Sequence, residues 1–346
     1  MSNNNQLSNE EKQNFDELSA SLVSYWKSQT IYAAVKLGIF EVIDDNGLNI
    51  NKLAKECKIS LDSTKRIVRA LCALKLLEWC NGIIKISSKG KFLQKSHDYS
   101  LANAALMWGE EHYIAWSKGF ESLKLNSEIF SAVYGETFFD WVSQSHEKTT
   151  LYQDAIQNYA KRDYQTIAED YNFSKHKKIM DVGGGSGILL KYIFDKYPKL
   201  NGILFEERKS IQNAKKTILK DYNSRCEFIV GDFFKEIPNI ADGIILARIL
   251  HDWDDEKAKI IMENCNKSLK IGDHLYIIEL ILPDDLNDPN GGLLSLSMLL
   301  ITGGKERMLN EFKILLESNG FKLIATKKLE SVSSLLIAQK VNEILH

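Results

Sequence analysis

The chemistry in this chain concentrates around one histidine. The stretch "RILHDWDDEKA" (248–258) ends an apolar run at His251 and follows it with Asp252, Asp254, Asp255 and Glu256. An imidazole titrates at about pH 6.5, so His251 can take up a proton near neutrality as a general base. Two other readings stay open. His251, Asp252 and Asp255 are all hard metal ligands, although H-x-x-x-H spacing and a compact acidic triad are both missing. His251 could also be only the last residue of a strand before a helix whose N-cap and first turn are acidic, the role that suits Asp254, Asp255 and Glu256. Asp252 is intermediate, placed to touch a ligand beside the base. A working base needs an orienting group on its second nitrogen. The candidates are Glu279, ending "LYIIE", and Glu306, in the glycine-flanked "GGKER".

A second constellation lies upstream. "DVGGGSG" sets Asp181 two residues before Gly183, with Gly185 and Gly187 following. Glycines between a strand and a helix let the backbone and the helix N–H groups approach a ligand. The dinucleotide fingerprint is G-x-G-x-x-G. The spacing here is G-x-G-x-G beside an acid, which suits a cationic amino-acid end better than a pyrophosphate. Glu206, about 20 residues on, can hydrogen-bond ribose hydroxyls. Asp232 and Phe233 in "VGDFF" can offer a carboxylate and a ring to an adenine.

These residues need a scaffold, and the sequence alternates strand and helix from Lys177 onward. The apolar runs "KKIMDV", "NGILFE", "CEFIVGDFF", "ADGIILARIL" and "DHLYIIELIL" are separated by helical segments. This predicts an α/β doubly wound, mostly parallel sheet, closed by a last helix and two antiparallel strands. Each candidate ligand residue then stands at a strand's C-terminal end, the edge where open α/β sheets bind ligands. Residues before about 170 read as helical. Within them, 49–95 give a helix, a turn at Lys58–Ser60, a second helix capped at Asp62 or Ser63, and a hairpin around Asn81-Gly82, a winged-helix-like order. The expected division is a disordered tail over 1–14, a helical domain over 15–115, and a catalytic domain over 116–346.

The ordered set "DVGGGSG", "GDFF", "LARILHDWDDEKA", "LYIIELILP" and "GGKERMLNEFKILLESNGF" resembles the plant-type small-molecule O-methyltransferases, the group that includes caffeate and hydroxyindole O-methyltransferases. The resemblance covers nearly the whole chain. It implies a class I methyltransferase-like Rossmann sheet behind an N-terminal dimerisation domain, a homodimer, and metal-independent transfer from S-adenosylmethionine to a small phenol, leaving S-adenosylhomocysteine. It assigns the base to His251, flanked by Glu279 and Glu306. The donor falls to Asp181, Gly183, Gly185, Glu206, Asp232, Phe233 and Arg248. The chemistry fits, because a phenol near pKa 10 is a poor nucleophile until a base removes its proton as the bond to carbon forms. In the caffeate branch a lysine four residues before the histidine contacts the donor. Here that position is Ala247, with Arg248 beside it, and Ser295 replaces an acid upstream of Met298. Substrate identity therefore does not carry over. Aromatic-rich segments from 105 to 159 supply candidates for an apolar pocket: Met107, Trp108, Trp116, Phe138, Phe139, Trp141, Tyr152 and Ile156, with His112 for a substrate hydroxyl and Asp252 and Met298 from later in the chain.

Composition bounds the alternatives. A net charge of −2, 44% hydrophobic residues and five dispersed cysteines fit a cytoplasmic globular protein, and the apolar runs are too short for a membrane span. Nucleic acid is not an expected partner, yet residues 50–95 carry eleven lysines and arginines against only Glu56, Asp62 and Glu78. A winged-helix DNA-binding regulator with a ligand-sensing Rossmann domain is therefore the rival reading. The apolar remainder of its recognition helix counts against it. An NAD-dependent oxidoreductase is the third class, disfavoured by the glycine spacing.

Overall fold

The computed structural model describes residues 7–330 and 332–344. The chain divides into two compact units after Glu111, slightly ahead of the expected break at 115.

The first unit opens with α1 (Asn9–Leu22). Of the expected disordered tail over 1–14, residues 1–6 lie outside the described residues and 9–14 are helical. From Asn9 the chain is helical because Ser8 and Glu11 form a reciprocal capping box, Ser8 N–H donating to Glu11 Oε2 at 2.7 Å and Glu11 N–H to Ser8 Oγ at 3.2 Å. After α2 (Tyr25–Lys36) come α3 (Ile50–Glu56), α4 (Leu61–Ala73) and the hairpin of β1 (Leu77–Cys80) with β2 (Ile83–Ile86). Asn81 and Gly82 both take positive φ, 50° and 79°, as a two-residue turn matched to strand twist requires. The cap of α4 is Ser60, not Asp62 or Ser63. Ser60 is extended and its Oγ accepts from Ser63 N–H, while Asp62 pairs with Arg66 one turn on. Phe40, Leu53, Val68, Leu71 and Ile84 fill the core of this unit.

The second unit is built on seven strands: β3 (Lys178–Val182), β4 (Asn201–Glu206), β5 (Cys226–Val230), β6 (Gly243–Ala247), β7 (His274–Glu279), β8 (Phe321–Lys328) and β9 (Ser334–Lys340). Their order across the sheet is β5-β4-β3-β6-β7-β9-β8. The first five are parallel, and β9 runs antiparallel between β7 and β8. Side chains alternate between two buried faces. Ile179, Ile245, Tyr276 and Ile278 meet α6 (His146–Asp170), which follows the short α5 (Phe138–Ser143), together with α7 (Ile188–Lys196) and α8 (Arg208–Lys216). Met180, Val182, Leu246 and Ile277 meet α9 (Asp255–Ser268) and, beyond α10 (Pro289–Thr302), α11 (Leu309–Ser318). Burial on both faces explains why these strands read as continuous apolar runs. Strand order reverses at β3, whose neighbours are β4 and β6, so the glycine loop after β3 and the histidine turn after β6 flank one crevice.

Candidate active site

The crevice holds a cavity of about 390 Å³. Its wall includes Asp181, Gly183, Gly185, Glu206, Asp232, Phe233 and Arg248, all seven residues expected at the donor, and Asp252 and Ile156 from the expected acceptor set. Gly183, Gly185 and Gly187 all have positive φ, and a Cβ on Gly184 would run into the Asp181 carboxylate. The loop is thus wrapped around an acid, with no room for a side chain at Gly184. Neither carboxylate oxygen of Asp181 has a hydrogen-bond partner among the described residues, although both are buried. Burial pushes this carboxyl up to about 7. Burial likewise raises Glu206 to about 8, against the backbone N–H of Glu207 that donates to it. A buried and a half-buried carboxylate, neither paired with a cation among the described residues, fit a ligand that brings ammonium and hydroxyl donors. A pyrophosphate would meet like charge instead.

Aromatic rings close one side. Phe139, Phe233, Phe234 and Trp253 all wall the cavity, with Phe139 5.2 Å and Phe234 4.8 Å from Trp253. Phe139 and the half-buried Tyr152, both among the aromatic candidates, wall the cavity, as does Trp253, which the sequence reading missed. Phe138, also a candidate, turns away to pack 5.3 Å from Phe130 and stacks on Trp141. His112 is buried edge-on to Phe138, and Met298 is half-buried on α10. Neither walls the cavity. Met107 and Trp108 belong to the first unit, where Met107 is fully buried.

His251 sits in a single helical turn, Leu250–Asp252, directly after β6. Arg248, between strand and turn, has φ 59°, a left-handed conformation that costs a side-chain-bearing residue about 1–2 kcal/mol. This strained corner lets both Arg248 and Asp252 wall the cavity. The imidazole Nδ1 lies 2.8 Å from Glu306 Oε1, and Nε2 lies 3.5 Å from Asp252 Oδ1. Glu306 is buried yet held below its usual range, chiefly because the His251 hydrogen bond and charge overcome the burial penalty. An ionised Glu306 only accepts, so Nδ1 carries the proton and Nε2 keeps its lone pair. Burial and Arg248 pull His251 down, but Asp252, Glu279 and Glu306 outweigh them and leave it raised above 6.5.

Glu279 departs from the expectation that both glutamates orient the ring. Its Oε1 accepts from the backbone N–H groups of Ile249, Leu250 and His251 at 3.0, 2.9 and 3.3 Å. The carboxylate holds the turn's main chain and leaves the ring's second nitrogen to Glu306. Asp254 behaves as expected, capping α9 through Lys257 N–H at 2.8 Å. His251, Glu279 and Glu306 each place a ligand atom within 4.8 Å of the others, a cluster compact enough for a cation.

Two family profiles match this sequence. One, described as an O-methyltransferase dimerisation domain, covers residues 20–107; the other, described as an O-methyltransferase domain, covers 117–322. The chain belongs to the O-methyltransferase family. Phenazine O-methyltransferase PhzM of Lysobacter antibioticus is 32% identical to this methyltransferase over 304 residues, 87% of this chain and 89% of the relative. Acetylserotonin O-methyltransferase of Bos taurus is 27% identical over 90% of this chain and 94% of its own. Among solved structures, LaPhzM superposes with a TM-score of 0.90 at 31% identity, covering 94% of this methyltransferase and 99% of that chain. Human N-acetylserotonin methyltransferase, solved in complex with SAM, gives 0.88 at 26% identity, covering 97% and 100%. The methyltransferase thus has the class I fold that the resemblance implied, built on the mostly parallel sheet that strand–helix alternation predicted. No helix among its described residues is long and apolar enough to cross a membrane.

Proposed function

We propose that this enzyme transfers a methyl group from S-adenosylmethionine to a hydroxyl of a small phenol, with His251 as general base. The observation that carries the reading is the buried Nδ1–Glu306 contact at 2.8 Å, which leaves Nε2 as the proton acceptor beside two residues that wall the cavity. Bound S-adenosylmethionine supplies an electrophilic methyl group on a sulfonium. Asp181 takes the amino-acid end, Glu206 the ribose hydroxyls, and Asp232 with Phe233 the adenine, while Gly183 and Gly185 keep the loop close. Arg248 and Asp252 stand between donor and base. His251 removes the phenol proton as the oxygen attacks, a contribution of about 10²–10⁴-fold. Glu306 stabilises the imidazolium that results, and Glu279 fixes the turn. The aromatic substrates in the relatives' names support a planar acceptor for this chain as well.

The step uses no metal. Nδ1 is engaged by Glu306 and Glu279 Oε1 by three N–H groups, so a cation at this cluster would have to displace the groups that hold the base. Transfer should persist in excess EDTA. We also propose a homodimer acting in the cytoplasm. The dimerisation profile supports the pairing, as do Phe15, Leu18 and Leu22, exposed on an α1 that buries no residue.

The test begins with calorimetric titration of S-adenosylmethionine and continues with a panel of phenols. Saturable binding at one site per chain is expected, with transfer to at least one phenol. His251→Ala should bind the donor as wild type does and lose the rate. If that variant kept most of the wild-type rate, His251 would not be the base.

A further inference from the structure

The turn that carries His251 is gripped from both sides, and one grip belongs to a residue with no role so far. Glu279 accepts the turn's N–H groups. On the opposite side Arg307, almost completely buried, donates from Nη1 to Leu250 O at 2.7 Å and from Nη2 to Trp253 O at 3.0 Å. Its Nε and Nη2 also reach Asp255 Oδ1, at 3.1 and 2.9 Å, at the start of α9. One guanidinium therefore ties the carbonyl before His251, the carbonyl after Asp252 and the helix that follows. The two grips share an anchor, because Arg307 pairs with Ile281, two residues beyond Glu279, in a short parallel ladder. Arg307 also directly follows Glu306, so the residue that holds the ring and the residue that holds the turn move as one segment.

We propose that Arg307 is a positioning residue for the reaction: it closes the carbonyl side of the 250–253 turn and so fixes where His251 presents Nε2. This rests on the reading of His251 as the base. A lysine in its place would keep the charge but donate from a single point, and so could not span both carbonyls and Asp255 at once.

The test compares wild type with Arg307→Met and Arg307→Lys. It reads the ¹⁵N resonances of the His251 imidazole, assigned by their loss in His251→Asn, and S-adenosylhomocysteine affinity by calorimetry. With a phenol that wild type methylates, it also reads kcat and the KM for S-adenosylmethionine. Arg307→Met should mix the imidazole tautomers, lower kcat by about 10²-fold as expected of a displaced catalytic group, and leave S-adenosylhomocysteine affinity and the donor KM within about two-fold. Arg307→Lys should fall between. If Arg307→Met does not fold, Arg307→Lys carries the test, and a tautomer shift at unchanged affinity is still required. Wild-type imidazole resonances in the folded variants would overturn the proposal, as would loss of affinity in parallel with kcat. Failure of the base itself reads differently, as a His251→Asn enzyme that keeps its rate whatever happens to the resonances.

Discussion

At the scale of single residues, the site is an arrangement of buried charges that titrate in the working range of pH. The carboxylates beside His251 outweigh burial and Arg248 and hold its pKa above 6.5. His251 as the proposed base must be neutral to accept a proton, so kcat should rise as pH rises through this value. Glu306→Gln removes one of the raising charges and should move that limb to lower pH while reducing the plateau, which a pH–rate profile will resolve. Asp181 and Glu206 invert the usual carboxylate logic. Burial raises them to about 7 and about 8, so the folded chain holds protons that the unfolded chain has released. Their contribution to stability is present below their ordinary values near 4 and is lost as pH climbs through the folded values. A cationic donor that pairs with the ionised forms restores it. Saturating S-adenosylmethionine should therefore raise the melting temperature more at pH 8 than at pH 6, and binding near neutrality should release protons, measurable as heats that depend on the buffer. Asp181→Asn should abolish most of this pH dependence. The convergence of these residues was largely legible in the sequence, because Asp181, Glu206, Asp232 and His251 lie at or within four residues of a strand's C-terminal end, the edge where such sheets bind ligands. Glu279 was only half legible. Its place beside the histidine strand follows from strand order, but its hold on three main-chain N–H groups exists only once the turn has formed.

At the scale of elements, the site depends on close backbone approach. A Cβ on Gly304 would run into the carbonyl oxygen of His251 and the main chain of Asp252, so the segment carrying Glu306 and Arg307 can lie against the histidine turn only without a side chain there. Gly304→Ala should cost about 1–3 kcal/mol by overpacking and should lower the rate more than donor affinity. Thermal unfolding and steady-state kinetics on the same preparation separate the two effects. The sequence flagged this glycine only as part of a motif; the backbone it approaches lies about fifty residues away and could not be inferred from spacing. Helical phase set a similar limit. Phe138 and Phe139 are adjacent aromatics, equally good pocket candidates by composition, and only the packing of Phe130 and Trp141 decides that 138 turns inward while 139 and Trp253 meet at the cavity. The hairpin at Asn81-Gly82 and the acidic cap of α9 were legible because their rules are local. The cap of α4 was misplaced by two or three residues because Ser60, Asp62 and Ser63 all suit the position.

At the scale of the whole molecule, two units with separate cores divide the labour that the two family profiles describe. If α1 pairs two chains, replacing Phe15, Leu18 and Leu22 together by glutamate should shift sedimentation from a two-chain to a one-chain particle. An unchanged two-chain particle would place the contact elsewhere. Fold class was the most legible feature of all, since strands buried on both faces have a composition that little else shares. Sheet closure also bears on how the enzyme is made. Strand β9 lies between β7 and β8, so the interior of the sheet is finished by residues that leave the ribosome after nearly everything they contact. Until residues 334–340 emerge, β7 presents an open edge of unpaired main-chain groups, and it is β7 that ends in Glu279. A nascent chain stalled before that point would thus carry an unpaired strand edge, the kind that invites aggregation, beside an unfinished His251 turn.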